Sequence, residues 1–279
     1  MKTRVVLIAI FSLLVISASS AADYHFSNER GDDSRSFAQA QNPDTPWKSI
    51  EKLNAIFPSL QPGDKVLLRR GETFFGTVVM TSSGASGRPI TIGAYGSGAD
   101  PIITSFVTLS DWKSIGNGIY EAGHPMLKNK PTTLVAFNDR DREMGRYPNS
   151  DTANKGYLTY EKTSWNSITD NELSSWPNWT GAEVVIRKIY WILDRHKITS
   201  HSGNTINYAT NPGTPYQPKA EFGYFIQNHV RTLDQLGEWY YDVNAAKLKV
   251  FFGSDRPSSH SVQIAVLDNL LTQVRRVIT

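Results

Sequence analysis

Apolar residues recur at even intervals through Pro62–Ser105. Short β-branched runs begin at Val66 (VLL), Val78 (VVM), Ile90 (ITI) and Ile102 (IIT), each 12 residues after the last, with Gly, Pro, Ser and Asp filling the gaps. Equal spacing of strand-forming triplets with turn residues between them predicts stacked coils, whose inward side chains bury one another from coil to coil. Two such strands per coil would give roughly 24 residues a turn. Four strands of an ordinary sandwich is the competing expectation.

The flanking pattern differs on each side. Lys2 and Arg4 precede an apolar run, Val5–Ile16, and the small residues SASSAA follow. This predicts a secretory signal peptide over residues 1–22, with an apolar stretch too short to span a bilayer comfortably. DYHFS (23–27) reads as a first strand, and 28–45 as a polar loop too irregular to pack. Residues 46–60 read as an amphipathic helix, with Ile50, Leu53, Ile56 and Phe57 on one face and Pro58 ending it. Such a helix would cover the open end of a stack. After Ser105 the rhythm stops. Two short strands around Gly116–Gly118, a strand within 132–139, alternating strands across 181–208 (Val184, Ile186, Ile189, Trp191, Ile198, Ile206) and a hairpin joined at Val243–Ala246 predict an antiparallel region. Short apolar strands return from Ser261. The expected organisation is therefore a signal peptide (1–22), a cap and first coils (23–105), an inserted antiparallel β-domain (106–260) and a return to the stack (261–279).

Composition narrows the function classes. Without Lys2 and Arg4, 27 basic residues face 26 acidic ones, so the mature charge is +1 and the signs are interspersed. That balance argues against a nucleic-acid partner and leaves no polybasic patch for a membrane surface. No stable membrane insertion is expected once the signal is cleaved. The absence of cysteine excludes disulfides, thiol nucleophiles and Cys-based metal sites. The expectation is a secreted or periplasmic bacterial protein, with the cell surface as the alternative. Aromatic residues make up 11%, with 7 Trp and 12 Tyr, a supply of rings that serves either a core or the apolar faces of sugars.

The run "PWKSI", "LQPGDKVLLRRGETFFG" and "SSGASGRPITIGAYGSGADPII" resembles the N-terminal end of right-handed parallel β-helix proteins, the pectate-lyase-like superfamily of secreted carbohydrate-active enzymes. MGRYPN (144–149) and the GEWYYD…KLKVFFG hairpin are similar to elements of β-helix glycosidase-like proteins in which an antiparallel β-domain is inserted. The resemblance implies an all-β fold: N-terminal capped coils of a right-handed parallel β-helix plus an inserted antiparallel β-domain. It implies a polysaccharide or oligosaccharide partner and glycoside hydrolysis, with uronate β-elimination or non-catalytic carbohydrate binding and adhesion as alternatives. In the resembled enzymes the catalytic residues project from later coils. The expectation is thus an N-terminal fragment, inactive alone, to which no catalytic residue is assigned. No cofactor is expected; a lyase would add Ca²⁺.

No short motif specifies a reaction: Walker, HExxH, GxSxG and EF-hand patterns are absent. Glycoside hydrolysis takes two carboxylates, and Asp139, Asp141, Glu143, Asp194, Asp234, Glu238 and Asp242 are candidates, most of them beside predicted turns. The densest polar cluster is 194–201, where Asp194, Arg195, His196 and His201 would orient a sugar or relay a proton; the alternative is a turn with exposed charges. Arg146 and Tyr147 would lean over a substrate groove, or Arg146 would tie the inserted domain in place. Asn228 and His229 carry the same ambiguity. The candidate substrate-binding set is Arg146, Tyr147, Asp194, Arg195 and His196, with no metal site.

Overall fold

The computed structural model describes residues 21–128, 132–210 and 216–274. The expected signal peptide lies outside them apart from its last two residues. The chain is all-β with short helices and divides into two compact units. One comprises the described residues up to Thr104 together with those from Asn269; the other is Ser105–Asp268.

In the first unit every strand pairing is parallel. The strands are β1 (Asp23–Phe26), β2 (Lys65–Arg69), β3 (Thr73–Phe75), β4 (Val78–Met80), β5 (Thr91–Tyr95), β6 (Ile102–Thr104) and β23 (Leu271–Gln273). β1, β2 and β5 form one sheet, with Tyr24 opposite Val66 and Val66 opposite Ile92. β3 pairs with β6, and β4 with β23. Taken in chain order, β2, β3 and β4 therefore pair one to one with β5, β6 and β23. This corrects the two-strand repeat expected from the spacing. Val78 faces Leu271, and Ile102 faces Thr73, so those two runs do not pair with each other. The spacing missed β3 because Thr-Phe-Phe turns only Phe74 into the core.

Local chemistry sets the elements around this core. Lys-Val-Leu-Leu-Arg alternates, so Val66 and Leu68 point in and the polar residues point out. The helix α2 (Ile50–Ile56) starts later than Pro46, because the Ser49 Oγ caps it by accepting the Lys52 N–H at 3.0 Å. Trp47 stays extended: its N–H donates to the His25 carbonyl at 2.9 Å and its carbonyl accepts from Ser27 N–H at 2.8 Å. Ile50, Leu53 and Ile56 then enter the core beside Phe26, Trp47, Phe57 and Phe74. The loop expected to be irregular holds a helix, α1 (Phe37–Ala40), made by a reciprocal Ser36–Gln39 capping box that buries Ala40. Gly31 is required there, since a Cβ would lie 2.2 Å from the Trp47 carbonyl oxygen.

α2 also treats a sheet edge. The Asn54 side-chain amide donates to the Thr77 carbonyl at 2.8 Å and accepts from Val79 N–H at 2.9 Å. The intervening Val78 N–H points the other way, to Leu270 on the β23 side. One side chain thus occupies the edge of β4 opposite β23. The later strands are barer: Ile102 and Leu271 are 58% and 56% exposed.

In the second unit the strands pair antiparallel, with one isolated parallel bridge between Met144 and Trp239. β11 (Arg140–Arg142), β10 (Val135–Phe137), β22 (Val262–Ala265) and β7 (Phe106–Thr108) form one sheet. The first strand of the segment read as a return to the stack, β22, therefore belongs here; parallel pairing resumes only at β23. A second sheet joins β20 (Trp239–Asp242), β21 (Lys247–Phe251), β9 (Ile119–Ala122) and β8 (Lys113–Gly116). The largest sheet runs β12 (Arg146–Tyr147), β19 (Gly223–Gln227), β16 (Glu183–Ile189), β17 (Ile192–Ser202), β18 (Thr205–Tyr208), β15 (Ser167–Thr169) and β14 (Lys162–Thr163), with β13 (Leu158–Thr159) beside β19. Tyr160, Trp179, Val184, Ile186, Ile198, Ile206, Tyr208 and Tyr224 form its core. Among the described residues, no helix is long and apolar enough to cross a membrane.

Candidate functional site

The β16–β17 hairpin of the second unit carries exposed aromatic rings beside a cleft. Its register sets Val184 opposite His196 and Ile186 opposite Asp194, then shifts between Arg187 and Ile189. The tip falls at Tyr190–Trp191. Alternation from Ile189 would point Trp191 inward, but the turn swings it out, and Tyr190 and Trp191 are 72% and 75% exposed. Below them opens a cleft of about 490 Å³, lined by Arg187, Tyr190, Trp191 and Leu193 and by Lys155 and Glu221. The rim is held in shape. Arg187 Nη2 donates to the Tyr190 carbonyl at 3.1 Å, the Tyr160 hydroxyl donates to the Arg187 carbonyl at 2.9 Å, and Tyr190 meets Phe222 edge-on at 5.3 Å. Aromatic faces beside a few convergent polar groups suit a ligand with both C–H faces and hydroxyls. None of these residues was a sequence candidate. The available signal was two adjacent large aromatics, Tyr190 and Trp191, where strand alternation calls for one polar position.

The predicted cluster 194–201 is strand, not a turn with exposed charges, and the strand splits it. Asp194 and His196 face inward. Lys188, 1% exposed, pairs with Asp194 at 3.0 Å. His196, 2% exposed, stacks on Tyr208 with ring centroids 5.0 Å apart. Its Nε2 is 3.9 Å from Asp194 Oδ2, and neither ring nitrogen has a hydrogen-bond partner. Burial, and then the Lys188 charge, pushes its pKa below the ordinary imidazole value, so the ring is held neutral. Arg195 faces out toward Glu183 at 3.7 Å. His201 is buried and accepts the Trp179 N–H on Nδ1 at 3.2 Å, and burial depresses its pKa too.

Arg146 and Tyr147 also part company. The Arg146 guanidinium lies 3.6 Å from the Phe225 ring centre and donates to the carbonyls of Pro148 and Gly156, which ties the 148–156 loop to β19. Tyr147 stacks on Trp179 at 5.2 Å. Asn228 donates to Glu183, and His229 packs edge-on against Trp179 with its pKa lowered by burial. Among the candidate acids, Glu238 is buried and accepts the N–H groups of Asp234 and Gln235, Asp242 pairs with Lys249 at 2.8 Å, and Asp234 accepts from Asn149. Burial dominates at Glu238 and raises its pKa. Asp139 sits in a turn at φ 59°, and Asp141 and Glu143 are exposed. Among the described residues no three His, Asp or Glu side chains converge as a metal site.

No protein-family model matches the chain. Over 130 residues, 45% of its length, it is 34% identical to a lacto-N-biosidase from Bifidobacterium longum subsp. longum, a stretch that covers 8% of that protein. A solved glycoside hydrolase superposes on 91% of the chain with a TM-score of 0.66 at 14% identity, over 48% of its own length. The fold is glycoside hydrolase-like. A GH136 lacto-N-biosidase from Eubacterium ramulus is 36% identical over 32% of the chain and 14% of its own, with a TM-score of 0.27. The chain thus spans less than a tenth of the curated relative and about half of the first solved structure.

Proposed function

We propose that this chain is the sugar-binding portion of an exported glycoside hydrolase, and that the Tyr190–Trp191 cleft holds the saccharide. The observation that carries the reading is the pair of exposed rings over a cleft edged by Arg187, Lys155 and Glu221. The indole and phenol would stack on the apolar face of a pyranose while the charged rim takes its hydroxyls. Similarity to glycoside hydrolases in sequence and fold points the same way. The cleft holds one carboxylate, Glu221, whereas hydrolysis takes two; its role is therefore binding, not bond cleavage. The first unit is read as the opening coils of a right-handed parallel β-helix. Its parallel pairings, strand for strand, support this, and the antiparallel unit follows as an insertion between β6 and β23.

The test is calorimetric titration of the purified chain with neutral oligosaccharides and oligouronates, alongside assays for reducing ends and for unsaturated products. Binding of a saccharide without turnover is the expected result. Failure to bind any of the panel removes the sugar reading. Release of reducing ends by the chain alone overturns the division between binding and cleavage, and unsaturated products convert the assignment to a lyase.

A further inference from the structure

The backbone around the cleft is strained where its two unpaired charges stand. Nine non-glycine residues among those described take a positive φ. Six are Asn or Asp, which tolerate that region because their short polar side chains bond locally. The other three are Lys155 (φ 54°), Glu221 (φ 71°) and Ala246 (φ 51°). Two of those three line the Tyr190–Trp191 cleft. Turns set both angles: the Tyr157 N–H donates to the Asn154 carbonyl at 3.2 Å across Lys155, and the Glu221 N–H donates to the Tyr160 carbonyl at 2.9 Å, but neither turn calls for a charged side chain. Asn154, beside Lys155 and also left-handed, earns its place by donating its side-chain amide to the Tyr157 carbonyl at 3.1 Å. By contrast, the Lys155 ammonium and the Glu221 carboxylate make no hydrogen bond or ion pair among the described residues, and both are exposed. Glycine would fill either position without strain, as Gly156 does in the same run at φ 69°. A turn fixes the φ and not the side chain, and non-glycine residues kept in such positions cluster at ligand sites.

We infer that Lys155 and Glu221 are the specificity-determining pair of this cleft and select a neutral saccharide; the inference rests on the cleft being a sugar site. A sugar hydroxyl both donates and accepts. The ammonium supplies donors only and the carboxylate acceptors only, so together they satisfy neighbouring hydroxyls of a ring stacked on Trp191. Lys155 and Arg187 at the same rim attract a uronate carboxylate, so discrimination against acidic sugars rests on the opposing Glu221 charge.

The experiment titrates neutral oligosaccharides and oligouronates into the wild-type chain and into Lys155→Gly, Glu221→Gly, Glu221→Gln and Trp191→Ala, with Tm measured for each. Each glycine variant is expected to hold or raise Tm, by about 2 °C, because strain is relieved, while losing about fivefold or more in affinity for the neutral ligand. Glu221→Gln keeps the strained backbone, so affinity falls without a gain in Tm, and both Glu221 variants narrow the preference for neutral over acidic sugars. If the glycine variants bind as wild type while Trp191→Ala does not, the pair is not a recognition element although the cleft is. If Trp191→Ala binds as wild type, or the wild-type chain binds no saccharide, the cleft reading fails first and takes this inference with it.

Discussion

The two units use aromatic rings in opposite ways. In the parallel unit Phe26, Trp47, Phe57 and Phe74 are at most 2% exposed, and Trp47 stacks on Tyr24 at 5.6 Å. In the antiparallel unit Trp165, Trp176, Tyr190 and Trp191 are 57–75% exposed, although that unit has a core of its own built on Trp179, Tyr160, Tyr208 and Tyr224. A ring inside a sheet contributes through area removed from water. A ring left mostly outside contributes less to folding by that route and keeps apolar area free for a ligand. The contrast separates rings that hold the fold together from rings left open at the surface.

The comparison is tested hardest at Trp47. Trp47→Ala is expected to cost about 3–5 kcal/mol of stability, read by denaturant unfolding; a loss below 1 kcal/mol would show that the parallel unit does not depend on this ring. Asn54→Ala comes next. It strands the Thr77 carbonyl and the Val79 N–H at a sheet edge, for an expected loss of about 1–3 kcal/mol. Trp191→Ala inverts the pattern: stability should move by less than about 0.5 kcal/mol, while saccharide affinity falls about tenfold in titration calorimetry. A stability loss like that of Trp47 would mean the ring is structural after all.

The smallest effect is one of pH. His196, His201 and His229 all lie in the antiparallel unit, and burial lowers the pKa of each below its ordinary 6.5. Below about pH 6.5 the unfolded chain therefore binds protons that the folded unit resists, so stability is full above that value and falls as the pH drops toward the folded values. Thermal melts between pH 7.5 and about 5 should show Tm falling on acidification. His196→Leu should flatten part of the slope, whereas an unchanged slope would mean that this ring does not titrate on unfolding.

Much of the architecture was legible because it rests on short-range rules. The all-β class, the hairpin closed at Val243–Ala246 and the strands around Val66 and Ile102 follow from alternation and turn residues. What failed were inferences that needed the partner strand. The 12-residue spacing could not show that β4 would wait for Leu271, nor that Val262–Ala265 would pair with Phe106–Thr108 first. Helix α1 was hidden because Ser36 and Gln39 look like loop residues until they cap each other. The same limit governs the site. Polar density singled out Asp194 and His196, yet strand alternation sends these two inward to Lys188 and Tyr208 and Arg195 outward. Tyr190 and Trp191 went unread, because only the turn tells an apolar strand residue from an exposed platform.

The Asn54 amide gives the parallel unit a direction. It blocks one edge of β4 as a chain terminator blocks a polymer end, and Trp47 does the same for β1 through its two backbone bonds. Bonding capacity is thereby quenched at the face where the fold begins. At β1 and β4 an added strand is turned away from that edge, so these two sheets extend on the side of β5 and β23 and elongation there has a built-in polarity. Asn54→Ala, besides costing stability, would turn a dead end into a second template.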